Sequence, residues 1–411
     1  MVADAQRLAR MLGELGRVTD EPGRLTRTFL SPAMQRANTL VATWMNTAGL
    51  ATRVDAVGNL IGTLPAPVPT RRTLLLGSHL DTVRDAGKFD GALGVLLPIV
   101  ALATLRRRGI SLPYNVEVVG FSEEEGVRFA RAYLGSEGYT GRLPAAALTL
   151  RDASGVTIKD ALRAFNGGTF AAPVFAHQRG DVLGYVEVHL EQGPVLENEG
   201  LAVGVVSGIA GQSRFTLRWV GRAGHAGTTP MKLRRDALAA AAEFTLAAES
   251  LARKTAGLVA TVGMMAVEPG AANVIPGEVR HTLDVRHARD AVRRAAVATL
   301  QRTASRIAQT RGLKLTWQKS QDHAAAVCDA ALTRALGRSV RAVQGRELSL
   351  VSGAGHDAVV LSACVPATML FVRCREGLSH HPREYVATSD LAVALRVVDD
   401  FLMNQAHVSA S

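Results

Sequence analysis

Two polar residues near the start of the chain have the types and spacing of a metal site. His79 and Asp81 end the apolar segment TLLLGSHLD, residues 73–81. Side chains two positions apart on a strand point to the same face, and a metal-binding histidine usually needs a carboxylate that fixes its tautomer. A His-x-Asp pair supplies both the histidine ligand and the carboxylate. Two polar residues that only form hydrogen bonds with each other would have the same pattern.

Acidic residues follow at two further points. Asp90 lies in KFDGALG at the start of a predicted helix, where it can serve as the helix N-cap, bridge two metal ions, or do both. Glu123, Glu124 and Glu125 end a predicted strand at 114–125. Adjacent carboxylates raise one another's pKa unless a cation relieves them. The apolar VEVVGF before them favours a crevice at the sheet edge over a solvated acidic turn.

Two histidines complete the candidate set. His189 lies in YVEVHLEQGP, another predicted strand end, and His380 lies in GLSHHPREY near the C-terminus. With His79, Asp90 and Glu125 they form a set of nitrogen and oxygen ligands that suits Zn²⁺ or Mn²⁺. A pair of ions would share one carboxylate, and Asp90 is the candidate for that bridge.

The elements around these residues predict an α/β fold. An apolar helix at 91–108 separates the strand at 73–81 from the strand at 114–125. Near-continuous apolar strands separated by helices are typical of a mixed, largely parallel sheet with helices on both faces. The polar residues collect where the strands end, which is where open α/β sheets place their sites.

The pattern changes near residue 212 and predicts an inserted domain. SRFTLRWVG alternates like a half-exposed strand, and the segments after it predict a ferredoxin-like βαββαβ unit. Those segments are a helix at 232–252, strands at 257–267 and 277–286, a helix at 288–311 and a strand at 313–319. The predicted organisation is a first catalytic part at 1–211, the insertion at 212–327, and a second catalytic part at 328–411 that ends in a helix at about 388–405.

Composition limits the classes of function. The 411 residues suit two domains, and the net charge is +11. The arginines are scattered over predicted helices, with no aromatic-interleaved basic stretch of the kind that stacks bases. A solvated basic surface is therefore favoured, and nucleic-acid binding remains an alternative. No apolar run reaches the roughly 20 residues that span a bilayer, which argues against a membrane protein.

The cysteines and the N-terminus predict a cytoplasmic protein. Cys328, Cys364 and Cys374 are too few and too scattered for a disulfide framework or a paired zinc site. MVADAQRLARMLGELGRV has the pattern of an amphipathic helix and lacks the apolar core and cleavage site of a signal peptide.

The motifs also resemble a known family. HLDT, FDG, EEGxRF, HLEQGPVLE, GxAxHAGTTPM, SGAGHDA and GxSHxP occur in this order and cover nearly the whole chain. They resemble the hydantoinase/carbamoylase group of the di-metal aminoacylase and carboxypeptidase superfamily, which includes N-carbamoyl-L-amino-acid hydrolases, allantoate amidohydrolases and β-ureidopropionases. The related peptidases typically carry an acid at the position of His189, so this histidine favours a carbamoylase.

The resemblance implies a role for each candidate ligand. His79 and His189 would hold one metal ion, and Glu125 and His380 the other, with Asp90 as the bridge. The family spacing to Pro382 selects His380 over His381. The cofactors would be two divalent ions per subunit, Zn²⁺ or Mn²⁺.

The resemblance also implies the catalytic and substrate-binding residues. Asp81 would orient His79, and Glu124 would be the general base. His225, in the insertion, would stabilise the oxyanion in the other subunit's active site. Substrate contacts would come from Gln192, His225, Asn273 and Arg286, whose guanidinium can bind a carboxylate with two hydrogen bonds. His356 and Asp357 match the family as well, and we expect them to brace the metal site.

The implied function is a metal-dependent amidohydrolase with a di-zinc exopeptidase-like fold. It would cleave the carbamoyl C–N bond of N-carbamoyl-L-amino acids or allantoate, small ureido carboxylates, and release ammonia and carbon dioxide. The insertion would act as lid and dimerisation domain of a homodimer. The alternatives are an aminoacylase or dipeptidase of the same superfamily and a non-catalytic binding protein on this scaffold.

Overall fold

The chain divides into two compact units. The computed structural model describes residues 2–178 and 180–408. One unit is an insertion, Gly208–Val327, and the rest of the chain forms the larger unit. The insertion begins at Gly208, a few residues before the boundary at 212 expected from the sequence, so it includes the last two residues of the strand Val203–Ile209.

The strands are numbered in chain order. They are β1 (Ala51–Val54), β2 (Leu60–Leu64), β3 (Thr73–His79), β4 (Asn115–Phe121), β5 (Val182–Leu190), β6 (Val203–Ile209), β7 (Gly211–Val220), β8 (Gly224–His225), β9 (Val259–Thr261), β10 (Met265–Glu268), β11 (Val274–Ile275), β12 (Glu278–His287), β13 (Lys314–His323), β14 (Ala326–Val327), β15 (Ser349–Ser352) and β16 (Ala367–Val372).

The helices are numbered in the same way. They are α1 (Val2–Leu15), α2 (Pro32–Ala48), α3 (Ala92–Arg107), α4 (Leu134–Tyr139), α5 (Ile158–Phe165), α6 (Val195–Asn198), α7 (Ala237–Lys254), α8 (Asp290–Thr310), α9 (Ala330–Gln344), α10 (Ala358–Leu361) and α11 (Thr388–Val408). Among the described helices, none has the length and apolarity to cross a membrane.

The larger unit is built on a mixed sheet with a parallel centre. Its strands run in the order β1-β2-β4-β3-β5-β16-β6, and β15 also pairs with β6. The pairs β4-β3, β3-β5 and β5-β16 are parallel, whereas the flanking pairs β1-β2, β2-β4 and β16-β6 are antiparallel. The predicted mixed, largely parallel α/β fold is confirmed.

Helix α3 lies at the centre of the larger unit's core. Every residue from Ala92 to Leu105 is buried, and helices α1, α2 and α11 pack against it. A helix that is apolar all round is expected only where other elements enclose it. Its first turn packs closely against strands β3 and β5, because a Cβ on Gly94 would lie 2.6 Å from Ser78 Cβ and 2.2 Å from the Val188 carbonyl oxygen.

The sheet and the two long helices of the insertion follow the chain order β7, α7, β9, β10, β12, α8 and β13, whereas β8 and β11 form a separate two-stranded sheet. Its sheet runs β10-β12-β7-β13 and is antiparallel throughout, with β9 also paired to β12. The single strand predicted at 257–267 is wrong, because the segment around Gly263 interrupts it between β9 and β10. The helix predicted from residue 232 begins at Ala237, since the Asp236 carboxylate caps the backbone N–H groups of Leu238 and Ala239.

A buried histidine lies in the core of the insertion. Trp219 Nε1 donates a hydrogen bond of 2.9 Å to His281 Nε2, and Phe244 packs against both rings. His281 Nδ1 lies 3.1 Å from the Thr282 carbonyl oxygen, which it can reach only as a donor. These partners fit the neutral imidazole, and burial lowers the pKa of His281 below its ordinary value of 6.5.

We expect His281 to make the stability of the insertion sensitive to acid. Because its pKa is lower in the folded unit, its contribution is complete above about pH 6.5 and is lost as the pH falls towards the folded pKa. His281→Gln should flatten this loss, whereas His323→Gln, at an exposed position, should leave it unchanged. The measurement is the free energy of unfolding in urea between about pH 7.5 and 5. The same dependence of this free energy on pH in wild type and His281→Gln would contradict the role of His281.

Candidate metal centre

The candidate ligands gather at one edge of the parallel sheet. His79 is the last residue of β3, His189 lies next to the end of β5, and Glu125 follows β4. His380 lies on the loop between β16 and α11. Because β4, β3, β5 and β16 are neighbours that run in the same direction, their carboxyl ends meet at this edge.

Asp90 is the residue that the others share. Its Oδ1 lies 3.0 Å from His189 Nε2 and 3.5 Å from His79 Nε2. Its Oδ2 lies 3.3 Å from His380 Nε2, which is 3.6 Å from Glu125 Oε1. One carboxylate therefore faces two clusters, His79-Asp90-His189 and Asp90-Glu125-His380, and each has its ligand atoms within 4.8 Å of one another.

The electrostatics of the site fit divalent cations. Burial raises the pKa of Glu125 to about 7 and that of Glu124 well above its usual range. Burial also opposes the charge of Asp90, yet His189, His380 and His79 hold its pKa well below the usual range. Carboxylates crowded in a buried site need positive charge to remain ionised, and nitrogen and oxygen donors are ligands of Zn²⁺ and Mn²⁺.

The alternative that Asp90 caps helix α3 is wrong. Gly91 occupies the cap position, and no side chain caps the helix there. Gly91 has a φ of +63°, and a Cβ at this position would lie 2.4 Å from the His79 ring. Glycine therefore allows both the turn into the helix and the close approach of His79.

Asp81 supports His79 and also the acidic segment. His79 Nδ1 lies 3.0 Å from the Asp81 carbonyl oxygen and 3.4 Å from its carboxylate. The carboxylate accepts the backbone N–H groups of Glu124 at 3.0 Å and Glu125 at 3.1 Å. The support of His79 by Asp81 was predicted from the sequence. The hydrogen bonds to the backbone of Glu124 and Glu125, which connect the end of β3 to the residues after β4, were missed.

The acidic segment is not a solvated turn. Glu123 is fully buried and Glu124 is 8 % exposed. Strand β4 ends at Phe121, so the segment predicted as strand to residue 125 instead turns into the sheet edge. Glu124 joins His79 and Glu125 in a third cluster of candidate ligand atoms, and Glu123 Oε1 accepts the Gly126 N–H at 2.5 Å.

Two buried side chains behind the ligands, Ser78 and Glu187, were missed from the sequence. Glu187 accepts a hydrogen bond of 2.8 Å from Ser78 Oγ, and it lies in a cluster with His189 and His356. The His356 ring packs edge-on against His189 at 4.4 Å between centroids. Glu187 stands two residues before His189 on the same strand, and this spacing is the signal that could have identified it.

Asp357 and Gln192 hold buried oxygens without a hydrogen-bond partner. Both carboxylate oxygens of Asp357 and Gln192 Oε1 are in this state. Burial raises the pKa of Asp357 well above its usual range. Gln192 Nε2 donates a hydrogen bond of 2.8 Å to Asp90 Oδ2, and its backbone has a φ of +55°. Positive φ at a non-glycine residue is a strain often found at functional sites.

The remaining predicted residues lie in the insertion. His225 is exposed on β8, which pairs with β11, and the Ala226 N–H donates to the Asn273 carbonyl oxygen, so His225 and Asn273 lie in neighbouring segments. Arg286 forms two hydrogen bonds of 2.9 Å with the Asp284 carboxylate. A carboxylate partner thus already engages the guanidinium.

Comparison with known proteins identifies the family. Residues 75–404 match the model described as peptidase family M20/M25/M40. The chain belongs to this family. The family is metal-dependent, and the described residues of this chain contain candidate ligand clusters.

Relatives within the M20/M25/M40 family narrow the group. The chain is 42 % identical to a probable allantoate deiminase of Oryza sativa subsp. japonica, over 97 % of this chain and 88 % of the relative. It is 40 % identical to an N-carbamoyl-L-amino acid amidohydrolase of Geobacillus stearothermophilus, over 96 % of each chain. The structure of a hydantoinase/carbamoylase family amidase from Burkholderia multivorans matches with a TM-score of 0.92, 32 % identity and 98 % coverage of each chain. The predicted resemblance to this group is confirmed.

We expect Gly91→Ala to disturb the site through His79. The methyl group of Gly91→Ala would overlap the His79 ring. Gly109→Ala is the matched control, because Gly109 has a similar φ of +70° and a Cβ there would have no atom within 4 Å. Both variants should lose stability by about 1–3 kcal/mol from backbone strain. Only Gly91→Ala should also weaken divalent-metal binding, by about tenfold or more. Metal affinity and urea unfolding compare them, and equal metal affinity in the two variants would disprove the steric argument.

Proposed function

We propose that this protein is a metal-dependent amidohydrolase that cleaves the carbamoyl C–N bond of a small ureido carboxylate, allantoate or an N-carbamoyl-L-amino acid. The observation that carries the proposal is the position of Asp90 between two clusters of nitrogen and oxygen donors. The names of the relatives support cleavage of this bond, since they are a probable deiminase of allantoate and an amidohydrolase of N-carbamoyl-L-amino acids.

The proposed cofactor is a pair of divalent cations, Zn²⁺ or Mn²⁺. His79 and His189 would hold one ion, Glu125 and His380 the other, and Asp90 would bridge them. His381 is not part of this set, since the family spacing to Pro382 selects His380, and among the described residues His380 and not His381 belongs to a candidate ligand cluster. When bound, such ions polarise a carbonyl oxygen and lower the pKa of a water molecule to about 7.

Glu124 is the proposed general base. It lies in one cluster with His79 and Glu125, and its backbone is fixed by the Asp81 carboxylate. It would take the proton of the attacking water and return it to the departing nitrogen.

Substrate recognition is assigned to Gln192, His225, Asn273 and Arg286. The buried Oε1 of Gln192 can accept a hydrogen bond from a ureido N–H group. Arg286 would exchange its Asp284 partner for the substrate carboxylate, a planar acceptor with the same geometry. His225 would donate a hydrogen bond to the oxyanion.

The proposed assembly is a homodimer, in which the insertion acts as lid and dimerisation domain. The proposal is that His225 of one subunit serves the active site of the other, and it rests on the family resemblance of GRAGHAGTTPM. The cytoplasmic location also stays a proposal, supported by a cysteine set too sparse for a disulfide framework.

A substrate panel tests the proposed reaction. Metal-loaded protein should release ammonia from allantoate, from N-carbamoyl-L-amino acids, or from both. It should hydrolyse N-acetyl-L-amino acids and dipeptides at least about a hundredfold less efficiently, because the buried polar groups would lose their ureido partner. Ammonia and free amine are the products to measure. Faster cleavage of the acetyl or peptide substrates would instead assign an aminoacylase or dipeptidase.

We expect Glu124→Gln to bind metal and fold as wild type but to lose about 10²- to 10⁴-fold in kcat, because the amide cannot accept the water proton. Glu123→Gln is the matched neighbour, since glutamine retains the acceptor for the Gly126 N–H and Glu123 is in none of the candidate ligand clusters among the described residues. It should keep activity within about tenfold. Wild-type kcat in Glu124→Gln would remove this residue from the base role.

Subunit mixing tests the shared active site. His225→Ala and Glu124→Gln homodimers should each have little activity, because each lacks one group at every site. Dissociating and reassociating an equal mixture should partly restore turnover, since mixed dimers have one site with both groups intact. No recovery despite proven exchange of subunits would place His225 at its own subunit's site or outside the reaction.

A further inference from the structure

A second buried carboxylate lies behind Asp90. Glu384 is 4 % exposed, and its Oε1 accepts the backbone N–H groups of Phe89 at 2.8 Å and Asp90 at 3.1 Å. Its Oε2 lies 2.8 Å from Ser379 Oγ, which is also 2.5 Å from Asp90 Oδ2. Glu384 thus contacts the Asp90 main chain directly and the Asp90 side chain through one hydroxyl group.

The surrounding chain is shaped to receive Glu384. A Cβ on Gly87 would lie 2.4 Å from Glu384 Oε1, so only glycine leaves room for this carboxylate. The next residue, Tyr385, packs edge-on against the Phe89 ring at 6.3 Å between centroids. The Glu384 N–H in turn donates to the His381 carbonyl oxygen at 2.9 Å, which closes the turn that directly follows His380.

We propose that Glu384 is a positioning residue that fixes Asp90 and His380 relative to each other. It joins two segments that are almost 300 residues apart in the chain, 295 between Phe89 and Glu384. One segment carries the proposed bridging carboxylate and the other carries a proposed ligand of the second ion. This inference rests on the proposed function, because it needs the two clusters to hold metal.

The geometry specifies acceptors rather than charge at position 384. Two backbone N–H groups need an acceptor, and a buried N–H without one is costly. Ser379 has one hydroxyl proton and faces two carboxylates, so it can donate to only one of them at a time. A glutamine would keep the carbonyl acceptor for Phe89 and Asp90, and its amide group would donate to Ser379 Oγ. The Ser379 proton would then remain available to Asp90 Oδ2.

The test is the affinity for Zn²⁺ alone, measured by competition with a chelator. Glu384→Ala should bind Zn²⁺ about 10- to 100-fold more weakly than wild type, as is typical when a partner behind a ligand is lost. Ser379→Ala should weaken binding by about tenfold, and Glu384→Gln should stay within about threefold of wild type. Thermal unfolding of each metal-free variant is measured in parallel.

Asp55→Ala is the matched control. The Asp55 carboxylate also accepts two backbone N–H groups, of Val57 at 3.0 Å and Asn59 at 2.9 Å, and contacts none of the proposed ligands. A purely structural role predicts that Asp55→Ala and Glu384→Ala lower the melting temperature of the metal-free protein alike and leave Zn²⁺ affinity unchanged. The positioning role predicts a Zn²⁺ defect in Glu384→Ala only, with rescue by glutamine.

Each result decides the question. Zn²⁺ affinity within about threefold of wild type in Ser379→Ala and Glu384→Ala would overturn the proposal, and so would a glutamine variant as defective as the alanine variant. If Glu384→Ala does not fold, Ser379→Ala decides alone. A wild-type protein that binds no Zn²⁺ or Mn²⁺ would overturn the proposed function itself, whereas normal binding with unaffected variants would overturn only the role of Glu384.

Discussion

The cost of burying several carboxylates at one sheet edge is the constraint on which the site depends. Asp81, Asp90, Glu124 and Glu125 lie within or beside the same clusters, at the end of a sheet whose strands exclude water. Imidazoles offset part of this charge, yet burial still raises the pKa of Glu124 and Glu125. Divalent cations would compensate such a site, because they supply the positive charge that crowded, buried carboxylates need in order to remain ionised.

Two buried carboxylates hold the backbone at the candidate ligands. The Asp81 carboxylate accepts the N–H groups of Glu124 and Glu125, and the Glu384 carboxylate accepts those of Phe89 and Asp90. Each pair of bonds fixes the backbone at a candidate ligand. Contacts of the ligand's own side chain then have less conformational freedom to remove. Helix α3, buried on all sides, makes the support for Asp90 rigid.

The ligand types and most elements were predictable from the sequence because they depend on local pattern. Apolar strands ending in His79 and His189 indicate where a parallel sheet exposes its carboxyl ends. The break near Gly263 and the late start of α7 at Ala237 depend on local turn and cap geometry that hydrophobic periodicity does not encode. Glu384 could not be assigned, since its partners are almost 300 residues away and no periodic signal links such distant segments.

The order of segments along the chain has a consequence for biosynthesis. The candidate ligands begin at His79 and end at His380, and the whole of Gly208–Val327 is synthesised between His189 and His380. Domains fold as units when their residues have emerged from the ribosome. The insertion can therefore fold first, while the larger unit waits for β16 and α11. Until those last segments arrive, the nascent chain carries an incomplete set of candidate ligands, so a metal ion that needs all of them could bind only at the final stage of maturation.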